Sequence, residues 1–181
     1  MNIIQTTTIQ EIRQIHLDDD GTFPNSTLPV LFYKAALYIP ALFPAAHVKN
    51  LFESHGWSNS WDSGIFEFHH YHSITHEVLG IYSGETTLQL GGDNGVKLQI
   101  QKGDVIVIPA GVAHKNLRQE NDISCVGAYP EGMDYDMNYG KAGERPATDH
   151  NIHKLPLPKT DPVYGDGGLV QIWGEQHRNI H

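Results

Sequence analysis

Six short segments rich in Val, Ile, Leu and aromatic residues fill the stretch from Gly64 to Tyr129, and turn-forming residues punctuate them. They read IFEFHHYHS, EVLGIYSG, TTLQLGG, VKLQIQ, DVIVIPA and DISCVGAY, with GGDNG and QKGD joining neighbours. Apolar runs of this length, bounded by Gly, Asn and Asp, are strands and tight turns, because glycine reaches the positive φ angles that hairpins demand. Such a stretch specifies an antiparallel β-barrel or sandwich.

The flanks are less regular. Residues 11–17 and 28–39 are rich in β-forming side chains, and DDDGTFPN lies between them as turn material, which predicts two early strands or extended arms. Ala45, Val48, Leu51 and Phe52 recur at near-helical spacing behind Pro44 and ahead of Gly56, so one short helix is expected over 44–55. Beyond Pro130 the chain is rich in Pro, Gly and Asp, yet it keeps Tyr135, Tyr139, Tyr164, Ile172 and Trp173. Those apolar groups predict an ordered, extended C-terminal wrap that ends in a short strand over 169–173. At 181 residues the expectation is one domain, with a core at 64–129, an N-terminal arm at 1–63 and the wrap at 130–181.

A formal net charge of -9 supplies no basic stripe for phosphates, so nucleic acid and anionic membrane surfaces are excluded as natural partners and a small molecule is favoured. Cys125 is the only cysteine, which rules out an intramolecular disulfide and fits a small buried side chain. The opening MNIIQTTTIQEIRQ has no basic region followed by an apolar one, and no apolar run approaches the roughly 18 residues of a membrane span. A cytoplasmic location is expected.

Histidine is abundant, with 12 residues, several of them between His69 and His76. In a strand, side chains alternate between faces, so His70 and His72 point the same way as Phe66 and Phe68. That face is otherwise apolar, which marks it as inward, and imidazoles placed there need a hydrogen-bond partner or a metal. Glu77 opens the next strand after the SITH turn and returns a carboxylate to the two imidazoles, while His114 follows the distant turn at Pro109 to Gly111. A barrel whose histidines merely satisfy internal hydrogen bonds is the competing reading.

The segment G64-IFEFH-H70-Y-H72-SITH-E77-VLGIYS-G84 resembles the first motif of the cupin family, and G103-DVIVI-P109-A-G111-VA-H114 resembles the second. The second motif often closes with Asn four residues after its histidine. That position is Arg118 here, and Asn116 lies two residues after His114. The resemblance implies an all-β jelly-roll barrel with three histidines and one glutamate near its mouth, in a homodimer as is common among single-domain members. The acid position admits His76 as well as Glu77; Glu77 is preferred because six residues then separate it from Gly84. His76 becomes a turn or supporting residue, and His69 faces the other side of its strand.

The expected metal ligands are therefore His70, His72, Glu77 and His114, binding one divalent transition metal, Fe, Mn, Ni, Co or Zn. Glu77 is also the candidate proton acceptor. By strand parity the substrate wall comprises Phe66, Phe68, Leu79 and Ile81, with Asn116 on the face of His114. The four arginines, Arg13, Arg118, Arg145 and Arg178, fall outside the inner face of the metal-motif strands, which argues against a polyanionic substrate. Two functions fit: a metalloenzyme acting on a small oxygenated molecule, as a dioxygenase-like oxidoreductase or an isomerase or lyase, and a non-catalytic metal-dependent binding protein. Free sheet edges invite pairing, so residues 28–39 or 169–173 are expected to extend a partner's sheet in the homodimer.

Overall fold

A computed structural model describes residues 11–118 and 123–180. Along the chain run β1 (Ile12–Leu17), β2 (Ser26–Tyr33), α1 (Pro44–Ser54), β3 (Trp57–Ser63), β4 (Glu77–Ser83), β5 (Glu85–Leu90) and β6 (Val96–Gln101). They are followed by β7 (Val105–Ile108), β8 (His114–Asn116), β9 (Ser124–Pro130), α2 (Ala147–Lys154) and α3 (Leu169–Asn179). One sheet has the order β1-β2-β7-β4-β9-β3 and the other β6-β5-β8. Every strand pair within them is antiparallel. The chain order crosses repeatedly between the two sheets, and their facing sides share one apolar core, as in a jelly roll.

The large sheet is buried on both faces, and the period of two sorts its side chains. Val30, Phe32, Leu79, Ile81, Ile106 and Ile108 point into the barrel with Leu88, Leu90, Leu98 and Ile100 of the small sheet. Their neighbours Leu31, Tyr33, Val78, Val105 and Val107 point outward, against Val48 and Phe52 of α1 and Leu169, Ile172 and Trp173 of α3. Two-sided burial explains the unbroken apolar run VIVI in β7. Gly80 has no side chain because α1 crosses β4 there: a Cβ would lie 2.7 Å from both Phe52 and Val48.

Three expectations need correction. Residues 169–173 are helical, as the first turn of α3, because Leu169, Ile172 and Trp173 follow i, i+3, i+4 spacing and form one buried stripe. The indole Nε1 of Trp173 donates to the Pro29 carbonyl at 3.0 Å, fastening that helix to β2. Together with α2 this makes three helices among the described residues, where one was expected. Second, 65–73 is not a strand; only the isolated bridges His70 to His114 and Tyr71 to Asn138 form there. The strand lies earlier, as β3 against β9, with a bulge between Ser58 and Trp61. Asn59 sits in the left-handed region at φ 57, so Trp57 joins the outer cluster whereas Trp61 packs against the inner one.

The third correction concerns sheet extension by a second copy. β2 ends at Tyr33, with Ala35 at φ 50, and lies between β1 and β7 with neither edge free. Residues 169–173 are helical, so neither segment has a strand edge to lend.

Candidate metal centre

Each of the three imidazoles near the barrel mouth is oriented by a backbone carbonyl. His70 Nδ1 lies 3.1 Å from the Phe68 oxygen and His114 Nδ1 lies 3.1 Å from the Val112 oxygen, each carbonyl two residues back along its own segment. His72 Nδ1 lies 2.6 Å from the carbonyl of Asp136, which a distant loop supplies. A carbonyl only accepts, so each Nδ1 donates and carries the proton in the neutral ring. Each Nε2 is left with a bare lone pair. The backbones of His70 and His114 exchange hydrogen bonds of 3.2 and 3.0 Å, which places their rings 4.0 Å apart. One ligand nitrogen from each of His70, His72 and His114 lies within 4.8 Å of the others, and all three residues are buried. This is a buried group of three histidines able to hold a metal ion.

Glu77, the first residue of β4, brings its carboxylate beside two of these imidazoles. Its Oε2 is 3.3 Å from Nε2 of both His72 and His114. With the Nδ1–H tautomers, these contacts set acceptors against an acceptor, and Oε2 is buried without a hydrogen-bond donor. A cation satisfies that arrangement and further hydrogen-bond acceptors do not. Protonation reflects the same imbalance. Burial, with His114 beside it, lowers His70 from 6.5 to about 3. Burial also acts to lower His72, but Glu77 outweighs it and raises that imidazole. For Glu77 the upward push of burial is overcome by His72 and His114, which hold it below the usual carboxylate range.

Support for the group comes from residues that sequence reasoning missed. The Asp136 carboxylate accepts from the Ser73 backbone N–H at 2.7 Å, the Ser73 hydroxyl at 2.5 Å and Asn138 Nδ2 at 2.8 Å, so the loop offering its carbonyl to His72 is pinned to the neighbouring backbone. Nothing in the pattern GMDYDMNYG signals this, because the contact to His72 is through main chain. The Tyr129 hydroxyl donates to Glu77 Oε1 at 3.2 Å. Tyr129 was legible in principle, being four residues beyond the inward Cys125 on β9.

The group forms the floor of a cavity of about 190 Å³. Its walls include Trp61, Ile65, Phe66, Leu79, Tyr129, Tyr135 and Met137, and its lining contains no lysine or arginine. Phe66 and Leu79 thus occur in the wall. Phe68 stacks on Phe66 with centroids 4.8 Å apart and lies outside the lining, and Ile81 packs deeper in the barrel core. The Asn116 side-chain oxygen instead accepts from the Thr86 hydroxyl at 2.7 Å and from the Arg118 N–H at 3.1 Å, and the residue takes no part in the lining. Two neighbouring histidines face elsewhere. His76 Nδ1 accepts from the Ala110 N–H at 3.0 Å and its ring packs on Trp173, while His69 Nε2 meets the Asp93 carboxylate at 2.8 Å.

The two antiparallel sheets, the three inward histidines and the glutamate that opens β4 define the class, a two-sheet β-barrel with the arrangement that the resemblance to the cupin family implies. Within that class it belongs to the family of the Uncharacterized protein YjlB of Bacillus subtilis (strain 168): the two are 40% identical over 166 residues, 91% of this chain and 98% of that protein. No family model matches the chain. Among solved structures, acireductone dioxygenase from Bacillus anthracis with cadmium ion in its active center aligns at 16% identity over 59% of this chain and 82% of its own, with TM-score 0.42. A DUF861 family protein from Thermotoga maritima aligns at 25% identity over 51% and 92%, with TM-score 0.30. Likenesses this partial carry no argument, and the fold rests on the sheet topology. Among the described residues no helix is long and apolar enough to cross a membrane.

Proposed function

We propose that the chain holds one divalent transition metal on His70, His72, Glu77 and His114 and acts as a metalloenzyme on a small oxygenated molecule, as a dioxygenase-like oxidoreductase rather than an isomerase or lyase. The observation that carries this reading is the donorless Glu77 Oε2 facing bare imidazole nitrogens at the floor of a cavity. Three neutral imidazoles and one carboxylate leave a divalent ion with net charge +1, and an octahedral ion keeps two positions open. When bound, an ion of the set Fe, Mn, Ni, Co and Zn supplies Lewis acidity, and the redox-active members supply electron transfer as well.

The protein's own residues narrow what enters. A cavity of about 190 Å³ lies below the roughly 300–1,000 Å³ of clefts that take drug-sized ligands, so the substrate is small. Rings of Trp61, Phe66, Tyr129 and Tyr135 line it and favour a flat, largely apolar body. With no lysine or arginine in the lining, a bound ion would be the anchor for substrate oxygen, which suits a neutral or singly charged ligand. Released from the ion, the Glu77 carboxylate would be the group to take a proton from that oxygen.

Anaerobic purification with metal analysis, followed by oxygen-uptake assays on small catechols, thiols, enediols and keto acids, tests the proposal. Replacement of His72 or His114 by Ala is expected to cut metal content sharply, and an unchanged stoichiometry would remove the site. The cavity offers few groups for acid–base work besides Glu77, and this favours a second reading, a metal-dependent small-molecule binding protein. Tight stoichiometric binding of a metabolite without turnover supports that second reading. A homodimeric, cytoplasmic protein completes the proposal; a monomeric mass by light scattering refutes the dimer.

A further inference from the structure

Glu77 has two carboxylate oxygens in different surroundings. Oε1 accepts from the Tyr129 hydroxyl at 3.2 Å, and Oε2 has no donor. The direction of the first bond is not free to reverse. Trp61 Nε1 lies 2.9 Å from the Tyr129 oxygen, and an indole N–H only donates. Tyr129 therefore receives from Trp61 and has its single O–H left for Glu77. Packing fixes both donors. Trp61 lies over Gly127, where a Cβ would come within 2.1 Å of the indole, and the Tyr129 ring stacks on Tyr135 with centroids 5.2 Å apart. The indole needs that bare backbone, and the bulge in β3 turns Trp61 toward it.

We infer that Trp61 and Tyr129 are positioning residues that restrict Glu77 to a single ligating oxygen, and so keep a second exchangeable position open on the metal. The inference rests on the proposed metal site. A carboxylate with both oxygens free can bind a metal through either one or both. The Trp61 to Tyr129 to Glu77 chain occupies Oε1 and leaves Oε2 alone to face His72 and His114. The device thus sets how many positions remain for substrate without touching the metal itself.

The test loads the full-length protein with Mn(II) and counts its exchangeable waters by proton relaxivity. Four single-atom ligands on a six-coordinate ion leave about two waters in the wild type. Y129F keeps the ring, frees Oε1 and is expected to show one water, so the inner-sphere relaxivity falls by about half while Mn(II) remains bound. W61F, which lacks the indole N–H, is expected to shift in the same direction and answers the question if Y129F does not fold. A loaded wild type with one water, or an unchanged relaxivity in loaded Y129F, overturns the inference and leaves the metal site standing. A wild type that takes up no Mn(II), Fe(II), Co(II), Ni(II) or Zn(II) overturns the site and the inference together.

Discussion

Replacing Asp136 by Ala separates the support of the metal group from the group itself. Its carboxylate accepts hydrogen bonds of 2.7, 2.5 and 2.8 Å from the Ser73 N–H, the Ser73 hydroxyl and Asn138. A bond to a charged acceptor contributes about 1.5–3 kcal/mol, but these three share one half-buried group and do not add independently. Ser73 is fully buried, and its N–H loses its strongest acceptor. The net expectation is a loss of about 3 kcal/mol, large against the ~5–15 kcal/mol that holds a domain folded. Backbone bonds of 2.9 and 3.0 Å between Tyr71 and Asn138 remain, so the loop loosens without leaving. The Asp136 carbonyl then holds His72 Nδ1 less firmly, and metal affinity is expected to fall about 10–100-fold. Urea denaturation of the chelator-treated protein measures the first effect, and competition with a chromophoric chelator measures the second. Full metal affinity in a destabilised Asp136→Ala protein would show that His72 is oriented without this loop and would refute the reasoning.

Other outcomes follow from packing and protonation. Gly80→Ala puts a methyl 2.7 Å from Phe52 and Val48, so α1 must shift; a cost of about 1–3 kcal/mol by denaturant unfolding is expected, and an unchanged midpoint contradicts the crossing described. His76 is held at about 4 by burial, against 6.5 when free. Between those values the unfolded chain carries the extra proton, so this group makes stability rise with pH across the window and fall on acidification, by up to about 1.4 kcal/mol per pH unit. Above the free value the ring is neutral in both states and the slope vanishes. His76→Gln, studied free of metal, is expected to reduce the slope between pH 6.5 and 4 and leave the part that His70 contributes; identical slopes in variant and wild type rule this origin out.

What the sequence discloses depends on how local each constraint is. Strand parity needs only neighbouring residues, and it correctly sorts Leu79 and Ile81 to the inside of β4. The turn glycines and the short apolar runs likewise specify a two-sheet fold, because hairpins and alternation are encoded within a few positions. The five residues LVQIW fit a strand or a helix equally, and only the continuation to Asn179 and the burial of positions 169, 172 and 173 decide for the helix. β3 was hidden for a different reason: its bulge reverses parity between Trp57 and Trp61, so alternation fails where the strand is real.

The same division runs through the metal group. His70 and His114 each take their Nδ1 acceptor from the carbonyl two residues back, so the chain around each ring prepares its own tautomer. The backbone exchange between them then sets two bare nitrogens side by side without a continuous strand. His72 differs: its acceptor belongs to Asp136, 64 positions away, and reaches it through main chain that carries no side-chain signature. Glu77 is also governed from afar, by Tyr129 and through it Trp61. The identities of the four candidate ligands are therefore local information, whereas the tautomer of His72 and the choice between the two oxygens of Glu77 are tertiary. A relative that kept all four side chains but lost Asp136 or Trp61 would retain the motif and present a differently shaped site.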